Sequence, residues 1–212
     1  MPPEAYVLAF DTSAAHCAAA LLSGDRVLDA RVEEMATGQA DRLMPLLEAM
    51  LVGAGIGWRD LAVIGVGTGP GNFTGVRISV AAARGLALGL GIPAIGVTTF
   101  EAMALDTPRP VLVRLDARRG QVYAQVFGEA PTPARLVPEG AALVLPPGTT
   151  VLGFGEDLTG QPRQPLSVAI ARIALQRRGE RHMRPAPFYL RGADALPPAD
   201  PPCVILADLS AS

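Results

Sequence analysis

Apolar and polar positions fall in blocks that read as strands, turns and helices in turn. Residues 6–10 form an apolar run that stops at Asp11-Thr12-Ser13, and residues 17–22 form a second. Ser23-Gly24-Asp25 then turns the chain into a third strand over 26–33, which predicts a three-strand meander with an acid at its first turn. Residues 39–53 carry Leu43, Met44, Leu46, Leu47, Met50 and Leu51 at helical spacing. At about 100° per residue these cover roughly 160°, wider than the ~100° stripe that a helix needs to cover one core. That width predicts either a second packing surface or a helix sunk deep in its own domain. Pro45 suits a helix that begins near Asp41.

The next block is an apolar strand over 61–66, a glycine-dense turn and a helical run over 76–90 closed by Gly91 and Pro93. Glycines at this density let a backbone approach another group closely. The first amides of a helix lack internal partners, so Gly69 and Gly71, with Asp11-Thr12-Ser13, make a candidate anion site. Asn72 or Thr74 is positioned to cap the helix. Arg77 falls in its first turn, where a cation opposes the helix dipole by about 0.3–1 kcal/mol. A nearby anion or a partner's carboxylate would remove that penalty, and so would simple exposure to water. The glycine spacing fits neither the dinucleotide fingerprint nor the P-loop. Ala82, Gly85 and Gly89 form a stripe of small residues that permits close helix contact, against the helix's own sheet or against another chain. Leu43, Leu47, Met50, Leu51, Arg77, Ala82 and Gly85 are therefore the candidate partner-facing residues.

A strand is predicted over 92–97, and Thr98 with Glu101 has capping-box spacing. The opening pattern then returns. An apolar strand over 111–115 ends at Asp116, a turn follows, and residues 121–127 alternate as a strand. A further strand is predicted over 151–154 and a helix over 167–178. Asp116 stands about a hundred positions after Asp11 in the same setting, so the chain reads as an internal duplication. The predicted fold class is α/β with two lobes, 1–105 and 106–212. Prolines cluster in the second, which is expected to be loop-rich, with 192–202 its most flexible part.

The formal net charge is −2 and half of the residues are hydrophobic, a composition ordinary for a globular protein. No Lys/Arg run marks a phosphate track, so any RNA contact is expected to need a partner's surface. The first residues lack the pattern of a signal peptide, and the apolar stretch 80–97 is interrupted by Arg84 and Pro93, so a cytoplasmic protein without a membrane span is expected. Cys17 and Cys203 are expected to be buried thiols. His16 and His182 form no motif with each other or with a serine, so neither metal ligation nor nucleophilic catalysis is expected.

Four segments, VLAFDTS, VGTGPGNFTGVRISVAAARGLALG, LDARRGQVYA and PFYLRG, occur in this order and closely resemble the TsaB (YeaZ) family. The resemblance implies a duplicated actin-like ATPase (ribonuclease H-like) fold. It also implies a non-catalytic part in threonylcarbamoyladenosine formation on tRNA, beside a TsaD-type catalytic subunit and a TsaE-type ATPase. A homodimer through the first lobe is implied for the protein alone, with tRNA reached through the complex. No cofactor is implied, ATP binding being weak or confined to the complex. The alternative is an actin-like kinase or ATPase, with Asp11 and Asp116 facing metal and phosphate. As structural residues, those aspartates would only end strands and cap turns. A metalloprotease reading is weaker still, because Gln39-Ala40 stands where relatives often have His-Ser.

Overall fold

The structure, a computed structural model, describes residues 5–181 and 183–191. Expectations for His182, Cys203 and the 192–202 segment lie outside the described residues.

Nine strands fall in two sheets. In the first, β1 (Tyr6–Asp11), β2 (His16–Ser23) and β3 (Arg26–Glu34) form the antiparallel meander; β4 (Leu61–Gly67) and β5 (Ala94–Val97) extend it in parallel, giving the order β3-β2-β1-β4-β5. In the second, β6 (Val111–Asp116), β7 (Gln121–Phe127) and β8 (Arg135–Pro138) repeat the meander, and β9 (Thr150–Gly153) joins β6 in parallel, giving β8-β7-β6-β9. The duplication is thus real at the level of strand order. β8, hidden in sequence among prolines, completes it, and among the described residues the second sheet has no counterpart of β5.

Strand alternation sends Leu8, Phe10, Cys17, Ala19 and Leu21 to one face of the first sheet and Val7, Ala9, Ala20 and Leu22 to the other. Helices α1 (Gln39–Gly53) and α2 (Phe73–Leu90) cover the first face. Helix α2 starts three residues before the expected position because the Asn72 side chain accepts from the amides of Thr74 and Gly75. It is long and apolar enough to pass as a membrane span by length and composition, yet one of its faces packs on the sheet.

The other face is covered by α4 (Leu166–Arg177), a helix from the second half of the chain, whose Val168, Ala169, Ile170, Ala171, Ile173 and Ala174 are buried against the first sheet. The lobes therefore divide by sheet but not by sequence: residues 166–177 belong to the core of the first lobe, not to a separate 106–212 unit. Helix α3 (Thr99–Ala104), opened by the expected Thr98–Glu101 capping box, packs on the second sheet with Phe188 and Leu190. Arg177 on α4 donates to Glu101 at 2.7 Å and ties the two lobes together. Burial works to raise the pKa of Glu101, but hydrogen bonds from Thr98 and Arg177 outweigh it and hold the carboxyl below its ordinary value.

Candidate functional site

The first-lobe turn and the glycine turn meet as expected, but they fill each other. Asp11 is fully buried at the end of β1. Its Oδ1 accepts from the Ser13 amide at 3.0 Å, the Ser13 hydroxyl at 2.8 Å and His16 Nε2 at 2.9 Å. Its Oδ2 finds no partner among the described residues. That oxygen lies over Gly67, where a Cβ would stand 1.8 Å from it. The Thr12 hydroxyl donates to the Gly75 carbonyl at 2.6 Å, and a Cβ at Gly75 would meet the Thr12 carbonyl oxygen at 1.9 Å. The Asn72 amide donates to the Ser13 carbonyl at 2.6 Å. The glycines thus admit the chain's own backbone. Gly69 and Gly71 sit in this packed turn, and the leading amides of α2 are taken by Asn72, so the space expected for an anion is occupied by the protein itself.

His16 went unrecognised as a partner of Asp11. The signal was present: β1 ends at Asp11 and β2 begins at His16, so a tight turn brings them together. The hydrogen bond with Asp11 holds the His16 pKa above its ordinary 6.5, against the opposing effect of burial.

Asp116 does not match its counterpart. It is exposed and accepts from the Arg118 amide at 2.6 Å, capping a turn in which Arg118 and Arg119 have φ of 59° and 56°. Among the described residues no three His, Cys, Asp or Glu side chains are grouped to hold a metal ion.

The partner-facing residues divide. Leu43, Leu47, Met50 and Leu51 are sealed in the first-lobe core, so the wide apolar arc of α1 serves its own lobe and those side chains are not on offer to a partner. The large hydrophobic residues that α1 exposes are Met44 and Val52, the latter 72% accessible. Ala82 is half-buried against the same core. Gly85 and Gly89 face outward, with nothing within 4 Å of where a Cβ would stand, and Leu88 beside them is 82% exposed. Arg77 lies 3.7 Å over the ring of Phe73 and donates through Nε to the Tyr189 hydroxyl at 2.9 Å. This stack fastens the 183–191 segment along α2. No spacing rule links residues more than a hundred positions apart, so sequence reasoning missed it.

A family model for TsaD, the tRNA N6-adenosine threonylcarbamoyltransferase, matches residues 33–132. The tRNA threonylcarbamoyladenosine biosynthesis protein TsaB of Escherichia coli is 38% identical over 122 residues, 55% of this chain and 52% of that protein. The crystal structure of YeaZ from Pseudomonas aeruginosa superposes with a TM-score of 0.71 at 26% identity, covering 88% of this chain and all of that one. The chain belongs to the TsaB (YeaZ) family. An uncharacterized protein of Mycobacterium tuberculosis is 32% identical over 200 residues, 90% of this chain and 94% of its own length. The stretch matched to the Escherichia coli TsaB is only about half of that relative's length. With the strand order repeated in two sheets, this TsaB-family chain has a duplicated α/β fold, that of YeaZ.

Proposed function

We propose that this chain is the non-catalytic, cytoplasmic subunit of a system that transfers threonylcarbamoyl to the adenosine next to the anticodon of tRNA. It docks on a TsaD-type catalytic subunit, with a TsaE-type ATPase joining the pair, and forms a homodimer through the same surface when alone. It holds no cofactor of its own, ATP binding being weak or confined to the complex. The observation that carries the reading is the outward face of α1 and α2. Gly85 and Gly89 leave open space beside the exposed Leu88 on α2, and α1 exposes Met44 and Val52, surfaces that another helix can approach closely. The kinase alternative has less to support it, because Asp11 is closed off behind Ser13, His16 and Gly67 while Asp116 caps its own turn.

The test is co-elution with the TsaD-type subunit of the same organism in size-exclusion chromatography with light scattering. The wild type is expected to co-elute, and Val52→Glu with Leu88→Glu is expected to run alone while keeping its circular dichroism. Both positions are exposed, so the variant reports docking; a charge at Leu47 would report unfolding instead. Failure of the wild type to co-elute sinks the partner reading, and an unaffected double variant sinks the assigned face.

A further inference from the structure

One side of α2 has a chemistry beyond its apolar and small residues. Residues 61–100 contain no Asp or Glu, and neither does 183–191. The two stretches run side by side. Pro185 approaches Gly96, the Phe188 amide donates to the Thr68 carbonyl at 2.8 Å, and Tyr189 stacks with Phe73 at 5.1 Å between ring centroids. At one end Arg84 and Arg184 line a single groove over Ala87, Leu88, Ile92 and Pro93. Neither arginine has a hydrogen-bond or ion-pair partner among the described residues. At the other end Phe73 and Tyr189, 42% and 46% exposed, enclose the Arg77 guanidinium. Arg77 and Arg84 are two turns apart and share one line along the helix, and Gly85 lines the groove beside Arg84.

A second observation extends this strip. Arg191 donates to Gln121, at the foot of the turn that holds Arg118 and Arg119 at positive φ. That conformation disfavours every L residue with a side chain, and Asn-Gly would make the turn at lower cost.

We propose that this strip, from Arg84 and Arg184 past Phe73 and Tyr189, binds single-stranded RNA directly. Guanidinium groups take the phosphates and the exposed rings offer faces for unstacked bases, the combination that single-strand binders use. The inference rests on the RNA-modification reading and goes further: the accessory subunit holds part of the RNA itself. It also explains how a chain with net charge −2 and no basic run can do so, since the fold gathers arginines that lie far apart in sequence.

The full chain is titrated against a fluorescein-labelled uridine RNA of about twelve nucleotides, within the usual range of about 4–16 per binding site. Fluorescence polarisation is read in low salt up to about 100 µM protein, the weak end of non-specific binding. Wild type is expected to bind, with a log–log salt slope of about −2 for some three phosphates neutralised on a single strand. Arg84→Glu with Arg184→Glu is expected to lower affinity at least tenfold, and Tyr189→Ala about fivefold or more, the low end of base–aromatic stacking, with Tyr189→Phe retaining most of it. Arg135→Glu with Arg163→Glu, which removes arginines elsewhere, is expected to change little. The proposal is overturned if wild type does not bind, or if the control pair loses as much as the strip pair. It is overturned too if the strip variants bind RNA normally but no longer co-elute with the catalytic subunit, which makes the strip a protein interface. A Met44→Glu with Val52→Glu variant keeps the two readings separable, since both residues are exposed on α1 and neither lines this groove: it is expected to lose the partner and keep the RNA.

Discussion

The two aspartate turns began as copies and ended as opposites. Each closes a parallel-flanked central strand and leads into a hairpin, at Asp11 in the first sheet and Asp116 in the second. Asp11 is buried under Gly67, bonded to Ser13 and His16, and locked to the start of α2 through Thr12 and Ser13. Asp116 is exposed, accepts from the Arg118 amide within its own turn, and stands before two arginines in a disfavoured backbone region. Here the first has become packing and the second a surface.

The sharpest way to break this comparison is steric. Gly75→Ala places a methyl group 1.9 Å from the Thr12 carbonyl oxygen, against backbone that cannot swing away. The expected loss is about 3 kcal/mol or more, the upper end of overpacking costs, read as a lower urea midpoint. At the second turn, Arg119→Gly is expected to stabilise by about 0.5–1 kcal/mol, since glycine accepts positive φ without penalty. Next comes the polar network. Asp11→Ala strands Ser13 and His16 in a closed site and is expected to cost about 2–3 kcal/mol, against under about 1 kcal/mol for Asp116→Ala.

The smallest effects are in pH. The folded pKa of His16 is raised above its unfolded 6.5, so its stabilising contribution is whole below about pH 6.5 and is lost as pH rises through the raised value. Urea midpoints should fall over that alkaline limb, and His16→Gln should flatten it. Glu101 behaves in the opposite sense. Its folded pKa is lowered, so its contribution is present above the ordinary 4.5 and disappears as pH falls through the lower value; Arg177→Ala should blunt that acid limb.

Much of this was legible in the chain. Strand alternation, the capping box at Thr98 and the repeat of strand–Asp–hairpin are local signals, and the elements follow them closely. What periodicity could not decide was destination. The wide apolar arc of Leu43, Leu47, Met50 and Leu51 reads the same whether its second surface is a partner or the lobe's own sheet and α2. The glycine turn likewise announces a close approach without naming the atom that approaches; it was Thr12 and Asp11, not an anion. The Arg77–Tyr189 stack and the return of α4 depend on contacts across the whole chain, and no window of sequence contains them.

The return of α4 also governs how the protein can be made. Until the ribosome has released residue 177, the face of the first sheet with Val7, Ala9, Leu22, Val63 and Ile95 lacks its main cover, having only Ala102 and Leu105 beside it. The amino-terminal half therefore waits, with its hydrophobic surface open, for a helix encoded after the entire second sheet. Chains of this kind fold late and are open to aggregation while they are being synthesised. For the same reason the duplicated halves can no longer be exchanged or shed: a gene cut between the repeats would separate the first lobe from its own lid.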